Sequence, residues 1–289
     1  MDSRSKPETS ALSNGSLLKF WGPAVVVTLL GFAVAWQYVE PPPPNRVRIC
    51  AGDREGAYYA FAEHYTEFLA QQDIELEVVE TAGAVDNVKR LESGECDLGF
   101  VQGGVGSQFP DAPLESLASL YFEPLWVFYR APLTIERLTD MQGLRVAVGE
   151  EDSGTRLLSL QLLADNGVTK DGARLLALDT AEAAAQLRAG EIDAAFFVSA
   201  PSGHLIRELL LEESVRLLSF RRDRAYRSRY RYLSSVMLGE GSADLVRNIP
   251  PGDTTLMAPA AALISRADFH PALVTVMLQA AEQVHQGGG

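Results

Sequence analysis

A pair of matching segments constrains this chain more than any other feature of its sequence. Residues 91–100 read LESGECDLGF and residues 187–196 read LRAGEIDAAF, sharing Leu, Gly, Glu, Asp and Phe about 96 residues apart. Upstream, Arg48-Ile49-Cys50-Ala51-Gly52 answers Arg145-Val146-Ala147-Val148-Gly149 at nearly the same offset. Two blocks in the same order mark a duplicated unit, and each copy reads alike. A short apolar strand (46–51; 144–149) ends in Gly, and a helix follows (57–70; 154–165). A second strand (74–80; 173–178), a short helix (84–92; 180–189) and a third strand (97–102; 192–198) complete the unit. Ala84, Val85, Val88 and Leu91 recur at helical spacing, and Gly94 and Gly190 stand where a helix closes through a left-handed residue.

The fold class is therefore α/β, with two similar βαβαβ lobes. Right-handed crossovers give each lobe a parallel sheet of order 2-1-3. Strands at 117–130 and 253–266 are expected to run between the lobes, beside a hinge. A final helix at 271–285 completes the first lobe. The boundaries are 46–125 with 233–289 for lobe 1 and 126–232 for lobe 2. Each lobe has a switch point between its first and third strands, where ligands bind beyond the carboxyl ends. The two half-sites then meet in one cleft that closes by hinge motion.

The loops at those strand ends supply the candidate site. Gly56 permits a tight turn into a helix whose free N–H groups attract an anion, and Tyr58 and Tyr59 add hydroxyl donors. The bland alternative is a loop glycine with two half-buried tyrosines. In the second copy Ser153 and Gly154 open a helix with Thr155 in its first turn; capping and ligand contact are both open here. Thr81, the amides near Gly83 and the Asn87 side chain suit a carboxylate, or simply a capped helix start. Gln102 ends the third strand.

The first fifty residues differ from the rest. Residues 1–19 are polar and form an expected cytoplasmic tail. Phe20 to Val39 carry no charge, and 20 residues at 1.5 Å each span roughly the 30 Å of a bilayer core. Trp21, Trp36 and Tyr38 fit an aromatic belt. The segment 20–39 reads as an N-terminal transmembrane helix or uncleaved signal, with a cleaved signal peptide ending near Ala33-Val34-Ala35 as the rival. Residues 40–45, with four prolines, form a semi-rigid spacer.

Other features bear on function by exclusion. The net charge of −13 repels phosphate backbones, so nucleic acid is not an expected partner. Six arginines between Arg221 and Arg231 read first as a solvated face, with partner docking or a reach into the cleft as alternatives. The four histidines (His64, His204, His270, His285) lack metal spacing, and neither metal nor cofactor is expected. Asp97 and Asp193 match across the repeat and are expected to hold a turn. Cys50 and Cys96 are expected to be separate buried thiols, because parallel neighbours at roughly 3.3 Å per residue keep them apart.

The order Gly52…Gly56-Ala57-Tyr58-Tyr59, Thr81-Ala82-Gly83…Asn87, Leu91 to Gln102, Leu120-Tyr121-Phe122-Glu123-Pro124 through Arg130, Ser153-Gly154-Thr155 and Gly190 to Phe196 resembles the TAXI family of extracytoplasmic solute receptors, over about residues 46–285. The resemblance implies a type II periplasmic-binding-protein fold and no enzymatic step. It also implies a small anionic solute of the amino acid or dicarboxylate class and a TRAP-type permease as partner. By motif match, Tyr58, Tyr59, Thr81, Gly83, Asn87, Gln102, Ser153 and Thr155 are its pocket candidates. The expected location is the cytoplasmic membrane, single-pass, with the binding head periplasmic or extracellular. A tethered ligand sensor, or an enzyme on the same two-lobed architecture, are the competing functions.

Overall fold

The computed structural model describes residues 14–37, 42–54, 56–201 and 203–285. The expected tail up to residue 13, residues 38–41 of the anchor and spacer, and residues 286–289 lie outside the described residues. Residues 1–43 and 44–289 are two separate units.

The first unit holds α1 (Asn14–Trp36) with Pro23 inside it. Among the described residues no helix is long and apolar enough to cross a membrane. The expected single-pass anchor therefore has no support among the described residues. Within this helix the charge-free stretch 20–36 covers about 25 Å at 1.5 Å per residue, against roughly 30 Å of hydrocarbon.

The second unit opens with β1 (Arg46–Cys50), α2 (Ala57–Ala70), β2 (Glu75–Val79), α3 (Ala84–Ser93) and β3 (Leu98–Gln102). The strands β4 (Leu114–Phe122) and β5 (Leu125–Arg130) follow, and then the second copy: β6 (Arg145–Ala147), α4 (Gly154–Asp165), β7 (Arg174–Leu176), α5 (Thr180–Ala189) and β8 (Ala194–Val198). The chain finishes through α6 (His204–Leu211), β9 (Val215–Leu217), α7 (Asp223–Arg229), β10 (Leu233–Leu238), β11 (Thr254–Arg266) and α8 (Pro271–His285).

Both copies show the expected order, β2-β1-β3 and β7-β6-β8, all parallel. One long strand joins them. The first part of β11 pairs with β10, and its second part pairs with β3 and β4. The other crossing is β4 into β5, through Glu123 and Pro124; β5 pairs with β8. β10, expected to begin the return to lobe 1, lies with the Thr254–Pro259 part of β11.

Apolar burial follows these halves. Ile49, Leu98, Phe100 and Leu263 pack under Tyr65 and Leu69 of α2 and Leu273 and Met277 of α8. In the other half Val127, Val146 and Phe196 face Leu158 and Leu162 of α4, while Trp126, Ala195 and Phe197 face α5 and α6. β3 is buried on both faces, as a central strand covered by helices must be.

The repeat explains its own matching residues. Asp97 accepts the Arg48 N–H at 2.8 Å, and Asp193 accepts the Arg145 N–H at 2.9 Å. The Arg48 and Arg145 guanidinium groups donate to the carbonyls of Gly94 and Gly190, which have φ of 77° and 72°. Each Asp therefore locks a helix-to-strand turn onto the first strand. Arg145 and Arg130 hold the Asp193 carboxyl well below the usual carboxylate range.

Cys50 and Cys96 form a disulfide with a Cα–Cα distance of 5.9 Å, against the expectation of two thiols. Cys50 stands opposite Gly99 in the strand register. The turn at Gly94 folds the chain back, however, so that the Cys96 N–H donates to the Arg90 carbonyl and its side chain lies beside Leu91 and the end of β1. Reasoning from strand rise alone misses that fold-back.

The Arg221–Arg231 segment is a solvated, ion-paired face. Arg221 meets Glu136 at 3.0 Å, Arg227 meets Asp223 and Arg229 meets Asp165 at 2.9 Å.

Replacing Cys50 and Cys96 by Ala opens a 46-residue closure. Chain-entropy reasoning gives a cost of about 4 kcal/mol, to be read as a lower denaturant midpoint with a steeper slope, because the opened unfolded chain exposes more surface. The Asp193→Ala variant is expected to lose about 1–3 kcal/mol for its unsatisfied buried donors. Because the native carboxyl is held low, the stabilisation it gives is present above about pH 4 and fades as pH falls, so the variant and parent converge in acid.

Candidate functional site

The strand ends of both copies open onto one cavity of about 500 Å³. Ala51, Gly52 and Gly56 to Tyr58 line it from the first copy, and Gly149 and Ser153 to Thr155 from the second. Gly52 and Gly149 occupy equivalent places with φ of 77° and 96°, the left-handed conformation that turns each strand toward its helix.

The two copies touch at the rim. The Asp86 N–H donates to the Asp152 carbonyl at 3.2 Å, Lys89 Nζ meets Asp152 Oδ2 at 2.6 Å, and Gln102 Nε2 donates to the Gly154 carbonyl at 3.2 Å. A Cβ on Gly83 would lie 3.5 Å from Ser153 Cα. The turn that starts α3 and the turn that starts α4 therefore abut, and the cavity lies behind them.

Seven of the expected site residues line this cavity: Gly56, Tyr58, Gly83, Gln102, Ser153, Gly154 and Thr155. Three do not. Thr81 and Asn87 are buried, and their polar atoms serve the fold. The Thr81 hydroxyl accepts the Gly52 N–H at 2.9 Å and donates to Asn87 Oδ1, while Asn87 Nδ2 donates to the Phe100 carbonyl at 2.7 Å. Tyr59 packs in the apolar cluster beneath α2, with the Arg54 guanidinium 5.7 Å from its ring. Ser153 is a helix cap whose Oγ accepts the Arg156 N–H, and the Thr155 hydroxyl accepts the Val198 N–H at 3.3 Å.

The sequence reading missed the acidic groups. Glu123 lines the cavity at the crossing between the halves and is 3% exposed. Its carboxyl accepts the Tyr58 hydroxyl at 2.5 Å and the Tyr121 hydroxyl at 3.1 Å. Burial pushes the carboxyl up to about 7, against the lowering effect of those two bonds. Burial and the neighbouring carboxyl push both tyrosines well above 10, so they remain donors. The available signal was a lone charge in the apolar run Leu120–Tyr129. Glu150, Asp179 and Glu208 also line the cavity. Among the described residues lining it, none is Lys or Arg, and no group of His, Cys, Asp and Glu is arranged to hold a metal ion.

A cavity between two βαβαβ halves, crossed by two strands, defines a two-lobed α/β fold. The chain belongs to the NMT1-like family, whose profile matches residues 49–241. Solved structures share the fold at low identity. The periplasmic aliphatic sulphonate binding protein SsuA from Escherichia coli is 16% identical with a TM-score of 0.54, over 84% of this chain and 73% of that one. An amino acid ABC transporter substrate-binding protein, AbpA, from Streptococcus pneumoniae, bound to L-arginine, is 12% identical with a TM-score of 0.55, over 84% and 90%. The CcmR regulatory domain of Synechocystis, in complex with 2-PG, is 16% identical with a TM-score of 0.54, over 84% and 98%.

Two outcomes test this geometry. Thr81→Val is expected to lower stability by about 1–2 kcal/mol through the orphaned Gly52 N–H, measured by denaturant unfolding. Glu123 binds a proton in the folded state over a range where the unfolded carboxyl, near 4.3, does not. Its contribution is full below about pH 4 and is lost as pH rises toward 7. The melting temperature of the parent should therefore fall across that window more steeply than that of Glu123→Gln.

Proposed function

We propose that this chain is an extracytoplasmic solute receptor that encloses a small solute between two lobes and passes it to a membrane transporter. The cavity walled by equivalent strand ends of the duplicated unit carries this reading. The lobes are residues 46–122 with 260–285 and residues 125–258, hinged where Glu123-Pro124 and the Pro259 region of β11 cross. Gly56, Tyr58, Gly83, Gln102, Ser153, Gly154 and Thr155 form the ligand surface, with Glu123 at the hinge. The structural neighbours bind solutes; they are named as transport or regulatory proteins.

The resemblance of the sequence to TAXI receptors favours a TRAP-type permease as the recipient. An extracytoplasmic head also fits the Cys50–Cys96 disulfide, since disulfides persist in oxidising compartments. The apolar N-terminal segment is then an export leader. A second reading, ligand sensing without transport, is favoured by the regulatory domain that shares this fold over 98% of its length.

A thermal-shift screen of the full chain against organic acids, sulphonates, amino acids and amines tests the receptor function. A binder at 100 times its Kd adds about 2.7 kcal/mol of stability. Absence of any stabilising solute would contradict it. Lys89→Ala removes a partly exposed bond across the rim and should raise Kd by up to about fivefold, as exposed ion pairs contribute at most about 1 kcal/mol.

A further inference from the structure

The charge of the cavity was not legible in the repeat, and it points away from the anion that the strand-end turns suggested. An anion site at a helix start needs free N–H groups or an Arg fork. Around the start of α3 three amides have partners inside the protein, while Ala84 and Val85 keep the open N–H groups of a helix start. The Ala82 N–H donates to Asp86 Oδ2 at 3.1 Å, the Gly83 N–H to Thr81 Oγ1 at 3.3 Å, and the Asp86 N–H to the Asp152 carbonyl. At the start of α4 the Arg156 N–H is taken by Ser153.

Among the described residues lining the cavity none is Lys or Arg, and three cations on the flanking helices are ion-paired, Arg156 keeping a buried Nη1 with no hydrogen-bond partner. Lys89 pairs with Asp152 at 2.6 Å, Arg156 with Glu151 at 2.8 Å, and Arg188 with Glu208 at 2.9 Å. The carboxylates lining the cavity are Glu123 and Asp53 before the crossing and Glu150, Asp179 and Glu208 after it, with His204 beside Glu208. Leu178, Phe196 and Ile206 add an apolar wall.

Resting on the receptor function proposed above, we infer that the solute is a small aliphatic amine of net positive charge, with an ammonium group held by the Glu123 and Glu150 carboxylates and its hydrocarbon against the apolar wall. The cavity itself, enclosed between the halves of a solute-binding fold, is the independent sign of a ligand; the carboxylates decide its class. Glu150 feels the same field. Partial burial, then the charges of Asp179, Asp53 and Asp86, hold its carboxyl above the usual range, a repulsion that a bound ammonium relieves and a bound carboxylate worsens.

Titration calorimetry of the full chain with 1,4-diaminobutane, agmatine, succinate and L-glutamate separates the possibilities. Expected is binding of at least one of the two amines, weakened by added salt, with no heat from succinate or L-glutamate. Glu150→Gln, at an exposed position, should weaken amine binding about tenfold, and Glu123→Gln should do so where its melting curve shows a folded protein. Binding of succinate or L-glutamate but neither amine would overturn the amine class and leave the receptor function standing. Amine binding unchanged in both variants would overturn the assigned carboxylates. If none of the four probes binds, the amine proposal falls, and the broad thermal-shift screen then decides separately whether the receptor function falls with it.

Discussion

Two strands connect the halves of the sheet, and they meet at one level. The Glu123 N–H donates to the Pro259 carbonyl at 2.9 Å, where β4 gives way to β5 and where β11 changes partners from β10 to β3 and β4. The cavity opens beside that crossing. A small rotation about two adjacent strands would move the turns at Gly83 and Ser153 relative to each other while leaving the main cores intact, because the three largest apolar clusters each lie on one side of the crossing and, among the described residues of the apolar clusters, only Leu157 of α4 packs across it, on the Ala84–Val105 cluster. Hinge closure needs this combination of rigid bodies and a narrow crossing.

The duplicated unit was readable because its physics is local. Apolar runs of strand length, helices with regular spacing and glycines with positive φ recur in both copies, and Arg48, Gly94 and Asp97 perform the same task as Arg145, Gly190 and Asp193. The strand order followed from the right-handed crossover. The disulfide escaped because the approach of Cys96 to Cys50 depends on a fold-back beneath α3, and strand rise does not describe that turn. The expected membrane anchor finds no support among the described residues, where the charge-free part of the helix is 20–36.

The site was legible in its glycines and less so in its charges. Turns at strand ends are set by backbone conformation, which the sequence records in Gly52, Gly83 and Gly149. Whether an amide at such a turn is free for a ligand depends on neighbours distant in sequence. Thr81 and Asn87 looked like ligand donors but hold the turn together. Glu123 looked like an interruption in an apolar strand and instead lines the cavity.

The central claim is that one cleft, bounded by the two copies, closes on its solute. Spin labels on exposed Gln71 and Lys170, one in each copy, report it directly through the distance distribution between them. The account predicts that saturating solute shifts the distribution to shorter separations and narrows it. An unchanged distribution at full occupancy would contradict it.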